Sequence, residues 1–201
     1  SRAFIDSSLQ VIHETLEELR KQDRPIDVLL ISFHGIPKRR ILQNNDPYFR
    51  HCMETFALLK QHLKLGDIKL RFSFQSRFGS EEWLTPYTDE IVDDIIASGD
   101  KNIAIYCPSF VVDCLETIDE IGTELKEQIQ KRGGAMSLIP CVNVREDWVE
   151  RAADYVQKRI SGVNVKDLEY EQPRELEMET VEMKSTPLSK ESKSIIKIIF
   201  L

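Results

Sequence analysis

The stretch Asp27-Val28-Leu29-Leu30-Ile31-Ser32-Phe33 constrains the fold more than any other part of the chain. It is a nearly continuous run of β-branched and aliphatic residues, without the polar alternation of a strand that shows one face to water. Such a run suits a strand covered on both faces, as in a parallel sheet with helices above and below. Its surroundings fit. Residues 3–22 set Ile5, Leu9, Ile12, Leu16 and Leu19 at alternating steps of four and three, one apolar stripe along a helix. A second helix is expected over about residues 47–65, carrying Phe49, Met53, Phe56 and Leu63 and stopping at Gly66.

The alternation continues along the chain. Residues 68–74 read as a second strand, and Thr85-Pro86 opens a helix that carries Ile91 and Ile95 and ends at Gly99. A third strand is expected over residues 102–107. A long helix follows over about residues 113–131, with Leu115, Ile118, Leu125 and Ile129 as its stripe, terminated by Gly133-Gly134. Residues 135–139 form a fourth strand and residues 147–160 a last amphipathic helix. Strands alternating with helices of this length imply βαβ units, hence an α/β fold: a doubly wound parallel sheet of about four strands flanked by helices, Rossmann-type, with a C-terminal tail. Residues 1–24 are read as a helix belonging to or linking from a preceding part, residues 25–162 as the α/β domain, and residues 163–201 as an acidic, flexible tail with a short apolar end, Ile195 to Leu201. The apolar end is far shorter than the roughly 20 residues of a membrane span. Whether it is the start of a membrane segment, a sticky terminus or a minor strand stays open, as do peripheral membrane contact, oligomeric state and whether the chain is a fragment.

Composition narrows the function classes. With 41% hydrophobic residues a packed core is within reach, and a net charge of -7 with no basic patch argues against a nucleic-acid partner. The four cysteines, Cys52, Cys107, Cys114 and Cys141, have no CxxC spacing, so reduced thiols in a cytoplasmic protein are expected rather than disulfides or a zinc site. No GxGxxG and no P-loop pattern is present, which removes support for nucleotide binding.

In open parallel sheets ligands bind beyond the carboxyl ends of the strands, and the unusual residues gather there. His34-Gly35-Ile36-Pro37 follows the first strand. Gln75-Ser76-Arg77-Phe78-Gly79 and Trp83 follow the second, and Pro108-Ser109-Phe110 and the acidic segment from Asp113 to Glu116 follow the third. Glu116, Glu120 and Glu124 recur every four residues. On a regular α-helix that row drifts by about 40° per step, and a π-bulge would straighten it. A row of this kind is commonly just a solvated helix face, and a histidine at a strand end is often only hydrogen-bonded to backbone; their conjunction points to chemistry.

Five blocks carry a family resemblance: Ser32-Phe33-His34-Gly35-Ile36-Pro37, Asp46-Pro47-Tyr48, Gln75-Ser76-Arg77-Phe78-Gly79, Trp83-Leu84-Thr85-Pro86-Tyr87-Thr88-Asp89-Glu90 and Asp113-Cys114-Leu115-Glu116-Thr117. In this order and spacing they resemble the signature blocks of ferrochelatases, over roughly residues 25–160. The resemblance implies two similar α/β domains with a porphyrin cleft between them, of which this chain matches only the later, chelatase-like part. It also implies insertion of Fe²⁺ into protoporphyrin IX to give protohaem with release of two protons. The alternatives are a non-catalytic porphyrin- or haem-binding half-enzyme, or a chelatase for coproporphyrin or another metal. Iron and porphyrin are then substrates, no prosthetic group is required, and, with no cysteine beyond Cys141, no iron–sulfur cluster is expected.

On this reading His34 is the metal ligand, the proton acceptor or both, since imidazole suits Fe²⁺ and accepts protons. Glu116 faces it across the macrocycle as the second catalytic and metal-handling residue. Glu120, Glu124 and Asp113 serve proton relay or metal entry. Tyr48, Trp83 and Phe110 are candidate walls of the porphyrin site, and Arg77 a candidate partner for a propionate.

Overall fold

The apolar run forms β1 (Val28–His34), and both of its faces are covered: Val28, Leu29, Leu30, Ile31 and Phe33 are at most 2% exposed. The computed structural model describes residues 1–171; most of the expected acidic tail and its apolar end lie outside the described residues. β1 pairs in parallel with β2 (Lys69–Gln75) along its whole length, from Val28 opposite Lys69 to His34 opposite Gln75. On its other side it pairs with β3 (Asn102–Tyr106) only as far as Ile31 opposite Tyr106. β4 (Ala135–Leu138) extends the sheet beside β3, also in parallel. The order β2-β1-β3-β4 puts the reversal of winding between β1 and β3, where such sheets open a crevice.

The two faces of β1 feed two cores. Leu29, Ile31 and Phe33 point into one, shared with Val11 and Ile12 of α1 (Arg2–Lys21), Met53 and Leu59 of α3 (Tyr48–His62), and Trp148 of α6 (Glu146–Ile160). Val28 and Leu30 point into the other, with Val92 and Ile95 of α4 (Thr88–Ala97), and with Ile121, Leu125 and Ile129 from the helix that precedes β4. Burying one such aliphatic side chain is worth about 1.5–3 kcal/mol, so β1 is both the centre of the sheet and the main source of its cohesion. By the same alternation Ser32 and His34 face the side of α4 and the helix before β4.

Several expectations shift in detail. α3 ends at His62 rather than near residue 65, because Leu63 already has extended backbone. A short helix, α2 (Lys38–Asn44), fills a segment for which the sequence suggested no element. The long helix expected over residues 113–131 begins at Glu116, and its first ten residues, Glu116–Leu125, are a π-helix that continues as α5 (Lys126–Lys131). The wider turn is locked locally: the Thr123 hydroxyl bonds the Ile118 carbonyl five residues back at 3.1 Å. Gly122 sits where an added Cβ would lie 3.2 Å from both Leu138 Cδ2 and the Thr117 carbonyl, so this turn runs close against β4.

At the start of the chain, α1 is built into the domain. Tyr106 donates to the buried Ser8 hydroxyl at 2.8 Å, Arg151 bonds Ser7 and Gln10, and Phe4 meets Trp148 edge-on. The first residues of the expected tail also have a defined place. A 3₁₀ turn (Val165–Leu168) leads to Tyr170, which donates to Asp6 and stacks on His62, while Arg2 bonds the Glu169 carbonyl. Among the described residues no helix is long and apolar enough to cross a membrane.

Candidate active site

Because β1 outruns its pairing with β3, the backbone at His34 needs other partners, and residues after β3 and at the start of α3 supply them. The His34 N–H donates to Ser109 Oγ at 3.0 Å. Tyr48 donates its hydroxyl to the His34 carbonyl at 2.7 Å and lies 3.0 Å from the same Ser109 Oγ. Burial pushes the Tyr48 phenol well above its ordinary range, so it remains a neutral donor. On the β2 side, the Gly35 N–H donates to the Gln75 carbonyl at 2.8 Å.

These contacts aim the imidazole. His34 Nδ1 is 2.6 Å from the Gly35 carbonyl, which requires a proton on Nδ1 and leaves Nε2 as the lone-pair nitrogen of the neutral ring. Phe110 lies edge-on to the ring at 5.9 Å between centroids and Trp83 at 6.4 Å. Trp83 is brought there by pairing between the two loops beyond β1 and β2: Pro37 bridges Trp83, Lys38 N–H bonds the Glu82 carbonyl, and Leu84 N–H bonds the Ile36 carbonyl. Thus Trp83 and Phe110 do flank His34. Tyr48 instead uses its polar end to fix the His34 backbone.

Glu116 opens the π-helix on the same side of the sheet. Its own backbone N–H and the Cys114 thiol hold its carboxyl below the usual carboxylate range; burial opposes them, and the His34 ring adds a weaker push in their direction. It is therefore an anion within electrostatic reach of a histidine. Glu120, one step along the row, accepts from the Ser76 N–H at 2.7 Å and the Ser76 hydroxyl at 2.6 Å. Beyond it Glu124 is exposed and joins Glu120, Ser76, Arg77, Asp89 and Gln128 around a groove of about 220 Å³. The i→i+5 ladder brings positions four apart nearer to one line than an α-helix does, so Glu116, Glu120 and Glu124 share one flank of the π-helix. A larger shallow depression, about 480 Å³, lies on α6 between Ala152 and Ser161 and contains no titratable group; the smaller groove takes in Glu120 and Glu124 but neither His34 nor Glu116.

Two expected site residues have other attachments. Asp113 does not line that groove. Its carboxylate accepts from Asn143 Nδ2 at 2.7 Å, and from the Cys141 N–H and the Thr117 hydroxyl at 3.2 Å. Burial opposes its charge, but these donors outweigh burial and hold the carboxyl below its ordinary range. It anchors the start of the π-helix to the loop after β4. Arg77 spends its guanidinium on Asp89 at 2.8 Å and Glu90 at 3.2 Å and lies over the Tyr87 ring at 4.2 Å, so a propionate would have to compete with two carboxylates.

Residues to which the sequence assigned no site role complete the site. Ser109 and Gln75 hold the His34 strand end, Ser76 holds Glu120, and Asn143 holds Asp113. Gln75, Ser76 and Ser109 lie at or just beyond strand ends, and Gln75 and Ser76 also fall in a family block, whereas Asn143 carries no signal in the sequence. Among the described residues no group of three or more His, Cys, Asp and Glu side chains converges as a metal cage.

Comparison with known proteins identifies the family. The family model for ferrochelatase matches residues 1–160. Ferrochelatase of Brucella anthropi is 43% identical over 160 residues, covering 79% of this chain and 45% of the relative. Those of Brucella ovis and Brucella melitensis biotype 1 are each 46% identical over 160 residues, covering 79% of this chain and 44% of the relative. The chain thus spans less than half the length of these curated relatives. On the family match and these identities, the chain belongs to the ferrochelatase family.

Proposed function

We propose that this chain carries the metal-inserting side of a ferrochelatase, which places Fe²⁺ in a porphyrin, protoporphyrin IX in the first instance, and releases two protons. The observation that carries the reading is His34 at the carboxyl edge of the sheet, with Nε2 as its lone-pair nitrogen and the rings of Trp83 and Phe110 beside it, within electrostatic reach of the anionic Glu116. An apolar macrocycle packs on the two rings. Nε2 accepts a pyrrole proton or binds the incoming ion, and Glu116 receives proton or ion on its side of the ring. Two protein ligands suffice for an ion in transit, because water and the pyrrole nitrogens fill its other positions. Glu120 and Glu124 extend the path to the groove, where protons leave or cations enter; carboxylates spaced this way titrate as a coupled set.

A second reading, a half-enzyme that binds porphyrin without metalating it, is favoured by one fact: the chain spans 45% of a ferrochelatase relative. One experiment addresses both. Protein, protoporphyrin and ferrous iron are mixed anaerobically and porphyrin fluorescence is followed, with His34→Ala in parallel. Fluorescence loss that needs His34 supports insertion. Porphyrin binding without loss, persisting when the remainder of a family-length protein is supplied, supports the half-enzyme.

A further inference from the structure

Gln75 is 3% exposed, yet both ends of its amide are engaged. Its Oε1 accepts from the Ser32 hydroxyl at 2.8 Å and from the Cys107 thiol at 3.3 Å, and its Nε2 donates to the Glu116 carbonyl at 2.9 Å. The amide orientation follows from its partners, because flipping it would set Oε1 against the Glu116 carbonyl, acceptor against acceptor. Gln75 is also the register partner of His34, and its own carbonyl receives the Gly35 N–H at 2.8 Å. One residue therefore bonds the strand end that bears His34 with its main chain and the first residue of the π-helix with its side chain.

We propose that Gln75 is a positioning residue that sets the separation and register of His34 and Glu116 by holding the first π-helical turn to the sheet. A π-helix is rarely stable on its own, since its wide turn packs and bonds less well than an α-helix. Here the carbonyl that heads the π ladder has a second, buried donor fixed to the sheet. Ser32 and Cys107 hold that donor in turn, and behind Ser32 the chain of buried hydroxyls continues through Thr88 to Ser73 at 2.9 Å per step. A buried polar network of this kind rigidifies what it touches. Without the Gln75 amide the Glu116 carbonyl loses its tie to the sheet, and the turn is free to wind to the α register and carry Glu116 away from His34.

This inference rests on the proposed metal-inserting role of His34 and Glu116, and the test separates the two. Gln75→Met keeps the side-chain length and removes all three side-chain bonds. It is expected to raise amide hydrogen exchange of residues 116–121 by on the order of tenfold relative to the rest of the chain, and to lower kcat for iron insertion while porphyrin KM changes little. Gln75→Glu covers the case of a poorly folding Met variant. Its carboxyl can donate to the Glu116 carbonyl only when protonated, so protection of residues 116–121, corrected for intrinsic exchange, should be higher at pH 5 than at pH 8. Unchanged protection of this turn in Gln75→Met, or a pH-independent pattern in Gln75→Glu, overturns the proposal. Absence of insertion by the unsubstituted protein, persisting when the remainder of a family-length protein is supplied, would overturn the functional reading instead, and exchange would still decide the role of Gln75.

Discussion

Ser76 grips Glu120 with two donors, its backbone N–H at 2.7 Å and its hydroxyl at 2.6 Å, while its own backbone is left-handed at φ 64°. A side-chain residue at such a φ gives up about 1 kcal/mol relative to glycine, a cost that the hydroxyl contact offsets by a similar amount. The two substitutions should therefore differ. Ser76→Ala loses the bond and keeps the strain, and should lower unfolding free energy by about 1 kcal/mol. Ser76→Gly loses the bond and relieves the strain, and should be near neutral. Urea midpoints compare them; equal destabilisation would contradict the offset.

Gly35 has no room for a side chain. A Cβ there would lie 2.9 Å from the Gln75 carbonyl and 3.1 Å from the Trp83 ring. The first contact is backbone and cannot swing aside, so Gly35→Ala has to open β1 from β2 just where His34 is held. We expect a loss of about 1–3 kcal/mol, seen as a lower Tm, with altered Trp83 fluorescence. An unchanged Tm would mean that the strand ends separate freely.

Asp113 predicts a pH dependence. Its donors hold its carboxyl below the ordinary range in the folded protein, so its stabilisation is present above the unfolded value, about 4, and is lost as pH falls through the lower folded value. Asp113→Asn should thus cost about 1 kcal/mol near neutrality, allowing for partial exposure. The gap to the unsubstituted protein should narrow below about pH 4. Denaturation at pH 7, 5 and 3 measures it; a constant gap would remove the electrostatic explanation.

Cys114 is half-buried, whereas Cys52, Cys107 and Cys141 are buried. Burial and the neighbouring Glu116 carboxylate both push its thiol up, which slows reaction with iodoacetamide because the thiolate is the nucleophile. In the native protein Cys114 should label alone, slowly and faster with rising pH. Glu116→Gln should accelerate it at fixed pH. Labelling indifferent to Glu116 would place the carboxylate elsewhere.

Much of the molecule is legible in its sequence, and the reason is local. The run from Val28 to Phe33 has no charged residue and only Ser32 that is polar, so it demands helices on both faces; the stripes of Ile12, Ile95 and Ile129 meet that demand. Parallel winding then puts strand ends at one edge, which is enough to bring His34, Trp83, Phe110 and the Glu116 row together. Periodicity reports burial, however, and burial does not name hydrogen-bond partners. That Gln75 reaches Glu116 across 41 residues, or that Ser109 takes the His34 N–H across 75, depends on strand register and on how far β1 outruns β3. The same holds for Asp113, turned to Asn143 rather than to the groove, and for Arg77, spent on Asp89 and Glu90. The spacing of Glu116, Glu120 and Glu124 pointed to a π-bulge but not to ten residues of π-helix, whose surroundings include partners distant in sequence: the Gln75 amide on the Glu116 carbonyl and β4 beside Gly122. The sequence by itself determined the layers and the edge where chemistry collects; tertiary structure decided which polar atoms meet there, since those meetings join segments whose spacing carries no local periodic signal.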